Sequence, residues 1–224
     1  MKRNLNIRKS LLGILALVLF MAACKKDDGA YAFENQVNVY EGNAYAYLKS
    51  QPGTYDSLVK VIDRVVGLKD SLTAANTKLT LFAATNSSFV LALHNLNNVR
   101  ASQNKTALNL STVNLGSLEV MLCKYIIKGH YNTDSLRLTD GVNLNAIKTN
   151  YEMHGLEVNS NAYGFVKGGP KTILFSDTKG SQYIIEWQRT TTQAVNIYTN
   201  NAIVHVLSPS HEFGFSEFTS RLNQ

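Results

Sequence analysis

Polar and apolar positions along the chain fall into two successive regimes, helical spacing first and alternation second. Tyr55, Leu58, Val61, Ile62 and Val65 recur at helical spacing behind Thr54, a cap-type residue, and Gly67 is placed to end that helix. Residues 79–83 (Leu-Thr-Leu-Phe-Ala) alternate and read as a strand. Asn86 then offers an N-cap for a helix carrying Phe89, Val90 and Leu93. Residues 95–114 are rich in Asn, Ser and Thr and read as loops and short helical turns, and Leu115, Leu118 and Leu122 mark a second long helix. After Gly129 the pattern changes. Strands are expected over 142–147, 155–158, 163–166, 171–175, 182–187, 194–198 and 202–207, with Gly168-Gly169-Pro170 as turn chemistry. Their spacing suggests an antiparallel region. No internal repeat is visible, so one α+β domain is expected, helices before strands.

The N-terminus obeys neither regime. Basic residues open it, and residues 11–23 form an uncharged, mostly apolar run. Thirteen residues are too few for a membrane span, which needs about 20. The order fits a secretory signal peptide, residues 1–23. Met21-Ala22-Ala23-Cys24 resembles a bacterial lipobox, with Met21 where leucine is usual. That resemblance implies a diacylglyceryl group on Cys24, cleavage before it and acylation of the new amine. Two or three chains supply the two membrane signals that stable anchoring needs. Lys25, Lys26, Asp27 and Asp28 follow, and they resemble the lysine-acid tetrads that route lipoproteins to the surface of some Gram-negative bacteria. The other reading is a solvated charge cluster in a tether, residues 24–43. The expected location is the outer membrane, facing the exterior, with the periplasmic face as the alternative.

This leader changes the meaning of the charge. The 224 residues hold 22 basic and 16 acidic side chains, but Lys2, Arg3, Arg8 and Lys9 belong to the leader, leaving a net +2 beyond it. No nucleic-acid partner is expected from that balance. Hydrophobic residues at 45% and only 3 prolines exclude bulk disorder and collagen-like chains. With Cys24 an anchor, Cys123 is the remaining thiol, and its setting in Val120-Met121-Leu122-Cys123 reads as buried and structural.

Three segments resemble the fasciclin domain family. The first is Leu81-Phe82-Ala83-Ala84-Thr85-Asn86-Ser87-Ser88-Phe89, where the family has Phe-Ala-Pro-Thr, two variable residues and Ala-Phe. Ala84 stands for the proline and Ser88 for the alanine. The second is Leu122-Cys123-Lys124-Tyr125-Ile126-Ile127-Lys128-Gly129-His130-Tyr131. Lys124 and Tyr125 occupy the family's Tyr-His pair, so its internal histidine is missing. The third, Thr199-Asn200-Asn201-Ala202-Ile203-Val204-His205-Val206-Leu207, matches the closing Ser-Asn-Gly, apolar, apolar, His-Val pattern. The resemblance covers residues 44–209 and leaves 210–224 as a C-terminal extension. It implies a seven-stranded β wedge or sandwich with several packed helices, and adhesion or matrix interaction without catalysis.

Physical roles follow for the motif residues. Thr85 or Asn86 should accept amide hydrogen bonds at a helix start. Phe82 and Phe89 should anchor strand to helix. His205 should be a satisfied structural histidine facing away from Val204 and Val206. Ala83, Tyr125, Gly129 and Asn201 complete the structural set.

Signals for chemistry are lacking. His94, His130, His154, His205 and His211 form no His-x-x-x-His pair and no cluster with cysteine. There is no Gly-x-Ser-x-Gly elbow and no phosphate loop. Asp27 and Asp28 sit in a tether, which cannot hold them for acid-base work. No catalytic residue, metal or cofactor is expected. Tyr31, Phe33, Tyr40, Tyr45, Tyr47 and the single Trp187 could stack on sugars or anchor a partner, or pack in an ordinary core. The expected function is a membrane-anchored, surface-exposed lipoprotein whose domain binds extracellular matrix, glycan or an envelope protein. The alternative is a structural accessory subunit of an outer-membrane complex.

Overall fold

The computed structural model describes residues 38–224 except 160, 162–165 and 167. The leader, Cys24 and the Lys25-Lys26-Asp27-Asp28 run lie outside the described residues, as does most of the strand expected over 163–166. The described residues begin inside the expected tether. Strand β1 (Asn38–Val39) pairs in parallel with residues 197 and 198, and Tyr40 N–H donates to the Tyr198 carbonyl at 2.8 Å.

Three short helices follow. Asn43 caps α1 (Ala44–Lys49) by accepting Ala46 N–H. Helix α2 (Asp56–Arg64) buries Leu58, Val61 and Ile62, with Tyr55 and Val65 buried at its two ends, as the spacing indicated, and it buries Val59 as well. Thr54 does not cap it. Gly67, at φ 77, opens the next helix, α3 (Leu68–Thr73), where a left-handed backbone suits glycine. Strand β2 (Leu79–Ala83) is buried at every residue. Helix α4 (Asn86–Ser102) runs eight residues into the region expected as loops. The Asn-rich stretch hid it because polar residues there make tertiary bonds: Asn97 holds both the N–H and the carbonyl of Leu108. Helix α5 (Leu115–Cys123) is capped by Asn114 and turns directly into β3 (Ile126–Lys128).

The remaining strands are β4 (Val142–Asn145), β5 (Glu152–Asn159), β6 (Lys171–Asp177), β7 (Gln188–Tyr198) and β8 (Ala202–Leu207), with α6 (Phe218–Leu222) last. The sheet order is β3-β2-β8-β7-β6-β5-β4, a path of seven strands, with β1 added on β7. From β4 to β8 neighbours are antiparallel, whereas β2 lies parallel to β8. Strand β7 belongs to both halves: its first residues pair with β6, and its last with β8 and β1. Irregularities between Thr192 and Ile197 bend it, as bulges do. A bridge from Ile127 to Ala146 and the Ile147 N–H bond to Ile126 join the two ends of the path. The result is a nearly closed α+β wedge with helices packed on it.

Two further expectations are corrected. Residues 182–187 are no strand: Lys179 and Gly180 both have positive φ and turn the chain, and Ile184–Glu186 forms a 3-10 turn before β7. The core also does not stop at residue 209. Phe213, Phe215, Phe218 and Leu222 belong to the same buried cluster as the strands and helices. Phe213 stacks on Phe89 at 4.3 Å between centroids and on Tyr125 at 5.1 Å.

Candidate functional site

The motif asparagines staple helices. Asn86 does accept an amide at a helix start, but the helix is α2 and not its own: its Oδ1 takes Ser57 N–H at 2.8 Å. Its Nδ2 donates to the Gly53 carbonyl and to Asp56. Thr85 holds the N-cap position of α4, yet its buried hydroxyl has no partner among the described residues. Asn201 is fully buried. Its Oδ1 accepts Ala44 N–H from the first turn of α1, and its Nδ2 donates to the Leu72 and Ala74 carbonyls at the end of α3. One side chain thus closes two helix ends of opposite polarity, satisfying groups that a helix leaves unpaired.

Phe82 and Phe89 are both buried but serve different contacts. Phe82 stacks on Phe175 of β6 at 3.7 Å and meets His205, while Phe89 stacks on Phe213. Ala83 is buried in β2 beside Val206. His205 has both ring nitrogens engaged. Asn196, at φ 59 in the irregular part of β7, donates its N–H to Nδ1 at 3.2 Å. Nε2 therefore carries the proton and donates to the Tyr131 carbonyl at 2.8 Å. Burial pushes this ring down to about 4, so it stays neutral. Gly129, at φ 101, donates to the Lys78 carbonyl and accepts from the Thr80 hydroxyl, bonds that a left-handed turn makes reachable.

Tyr125 is the hub of the second segment. Its hydroxyl accepts Gly214 N–H at 2.7 Å and shares a hydrogen bond with His211 Nε2 at 2.8 Å. A histidine partner is thus supplied from beyond residue 209. Burial holds His211 neutral, down to about 3. Beside this hub, Lys124 is buried with a full charge set. Its Nζ lies 2.7 Å from Asp177 and 2.9 Å from Glu217. Lys179 bridges the same two acids, Arg221 holds the other Glu217 oxygen, and Tyr151 donates to Asp177. Burial alone would raise the Glu217 carboxyl, but hydrogen bonds from Lys179, Lys124 and Arg221 outweigh it and bring it to about 2. Cys123 is buried, and burial pushes its thiol up to about 11, far from reactive. Among the described residues no group of three His, Cys, Asp or Glu is placed to hold a metal.

The opposite situation occurs in the connection after Asp177. Tyr183, Ile184 and Ile185 are all exposed, Ile185 at 93%. The connection is firmly held. Trp187 donates its indole N–H to the Ser181 carbonyl at 2.8 Å and packs against His154, and Arg189 donates to the Ile184 carbonyl at 2.7 Å. Thr178 ties the start of the connection to the Glu152 carbonyl. Lone exposed apolar residues are ordinary, but three in succession on a braced turn form an exposed apolar patch. A signal was present in the sequence: three consecutive apolar residues between Gln182 and Glu186 break the alternation of a half-exposed strand.

Comparisons with protein-family models and with curated proteins find no match. Among solved structures, the chain is similar to a FAS1 domain pair from the insect cell adhesion molecule fasciclin I. The TM-score is 0.51 and the identity 10%, over 74% of this chain and 49% of that one. The matched region therefore spans about half of the solved pair. The likeness establishes a fasciclin-like fold.

Proposed function

We propose that this chain is a lipid-anchored, surface-exposed lipoprotein whose fasciclin-like domain is a non-catalytic, adhesion-type module that binds a protein. The anchor is Cys24, with Lys25, Lys26, Asp27 and Asp28 as the export signal. The observation that carries the reading is the braced apolar turn of Tyr183, Ile184 and Ile185. Two of its three side chains are aliphatic. Sugar recognition relies on aromatic faces and polar groups, whereas isoleucine gains from burial against another apolar surface, about 1.5–3 kcal/mol per side chain. This favours a protein over a glycan as partner. The likeness to a domain pair of an adhesion molecule agrees with that use of the fold. The same turn also fits the accessory-subunit reading, in which the partner is a neighbouring envelope protein.

Avidity separates the two. A modest single-site affinity becomes useful for adhesion when many copies share one lipid surface, gaining about 10²–10⁴ where geometry allows. The test displays the domain on lipid vesicles and, separately, in free form, against matrix protein, glycan and envelope-protein surfaces. Retention of vesicles on a protein surface, with weak retention of the free domain, is the expected result. Stoichiometric capture of one envelope protein by the free domain would favour the accessory role. Equal retention of wild type and an Ile184→Ser/Ile185→Ser variant would overturn the assignment of the contact.

A further inference from the structure

A second feature lies against the buried charge set, sharing Lys124, Tyr151 and Arg221 with it, and shares no lining residue with the exposed turn. Helix α5, the turn between β4 and β5, and α6 enclose a pocket of about 430 Å³. That volume falls within the ordinary range for small-molecule sites, about 300–1,000 Å³. Val120, Ala146 and the Tyr151 ring supply apolar wall, and Lys124, Lys148, Arg221 and Glu119 supply the charge. Cations outnumber acids there by three to one.

The cations are not equivalent. Lys124 gives two of its three donors to Asp177 and Glu217 and sits over the Tyr151 ring, 4.4 Å from its centroid, so its charge is already answered. Arg221 gives only its Nε, to Glu217 at 2.6 Å, and its two Nη groups have no acceptor among the described residues. Glu217 therefore orients the guanidinium and leaves its fork available, the geometry that suits a carboxylate. Lys148 pairs with Glu119 and keeps two further N–H donors. The backbone that presents Lys148 is unusual. Thr149 and Asn150 are consecutive left-handed residues, at φ 63 and 49, and a β-branched residue rarely adopts that conformation. Lys128 braces the turn by donating to Asn150 at 2.6 Å. Strain of this kind is kept where the surroundings impose it, often at ligand sites.

We propose that this pocket binds a small amphipathic anion, a medium-chain monocarboxylate. Its chain lies against Val120, Ala146 and Tyr151, and its carboxylate takes the free fork of Arg221 and a donor of Lys148. Neither part suffices alone. The wall gives no orientation, and exposed cations without the wall bind anions weakly in salt.

The test is isothermal titration of the purified chain with decanoate, decanol and decyltrimethylammonium, with the Val120 methyl resonances followed in parallel. Decanoate should bind with heat and shift those resonances, and the other two should not. Arg221→Gln and Lys148→Gln should each weaken decanoate about tenfold or more, the scale of a lost charged hydrogen bond. Val120 is about half exposed, so Val120→Glu should keep the fold while placing a negative charge at the wall, and binding should vanish. An unchanged unfolding midpoint in that variant confirms the fold. Equal binding of decanoate and decanol would overturn the proposal, as would decanoate binding that survives Val120→Glu, or no decanoate binding to the wild type.

Discussion

Asp177 and Ile185 are eight residues apart, and each stands where the other would be expected. The carboxylate is fully buried and the isoleucine is 93% exposed. Both break the usual partition of polar and apolar groups. What separates them is satisfaction. Asp177 has Lys124, Lys179 and Tyr151 around it, so its burial is a finished piece of structure that ties β6 to α5 and to Glu217 ahead of α6. Ile185 sits on a hydrogen-bonded support and is covered by nothing among the described residues. An inversion answered within the chain belongs to stability, and one left unanswered is where the proposed contact is placed.

The largest effect should come from breaking the answered inversion. Asp177→Ala leaves Lys124 buried against one acid fewer, and removing a partner from a buried pair typically costs about 3–5 kcal/mol. Denaturant unfolding measures it. The double replacement Lys124→Met/Asp177→Leu should recover much of that loss, because no charge is then stranded. If the single variant unfolds at the wild-type midpoint, the network is not structural.

Asn201→Ala comes next. It strands the first amide of α1 and the last carbonyls of α3 together, a loss of about 2–3 kcal/mol for buried groups left unpaired. Hydrogen exchange should show both helix ends opening while β8 stays protected. A uniform change across the domain would deny Asn201 its role as a staple.

Acid should act through the buried histidines before it reaches the acids. His205 and His211 have folded values pushed by burial from 6.5 to about 4 and about 3. The unfolded chain takes up those protons as pH falls below 6.5, and the folded chain does not. Stability should therefore be full above pH 6.5 and decline as pH drops toward 3. Glu217, depressed from 4.5 to about 2, adds a loss as pH falls through that lower window. Thermal unfolding across pH measures both, and His211→Gln should flatten the upper part of the decline. A midpoint independent of pH from 7 to 4 would contradict the neutral assignment.

Much of this was legible in the sequence and some was not, for physical reasons. Periodicity located β2, α2 and α5 because each buries a continuous apolar stripe or strand. The three motif segments pointed to the wedge because Phe82, Asn201 and His205 make contacts set by the fold itself. The C-terminal segment was invisible to periodicity: Phe213, Phe215 and Phe218 enter the core from a chain with little regular structure. The Lys124 network was hidden because its members come from residues 124, 177, 179, 217 and 221, which only the topology brings together. The exposed turn was misread as a strand because apolar content alone does not tell burial from display.

The smallest effect on stability should come from the unanswered inversion. Ile184→Ser/Ile185→Ser should move the unfolding free energy by about 0.5 kcal/mol or less, as surface changes do. A loss of several kcal/mol would mean these side chains are packed after all.

Site-specific photo-cross-linking on intact cells tests most directly whether the turn meets a protein partner. A photoreactive residue is placed at position 185 and, as control, at position 66, where Val66 is also highly exposed but stands alone. A discrete protein adduct from position 185, absent at 66 and independent of the abundance of neighbouring proteins, is the expected result. No adduct from 185, or the same adducts from both positions, would contradict the account.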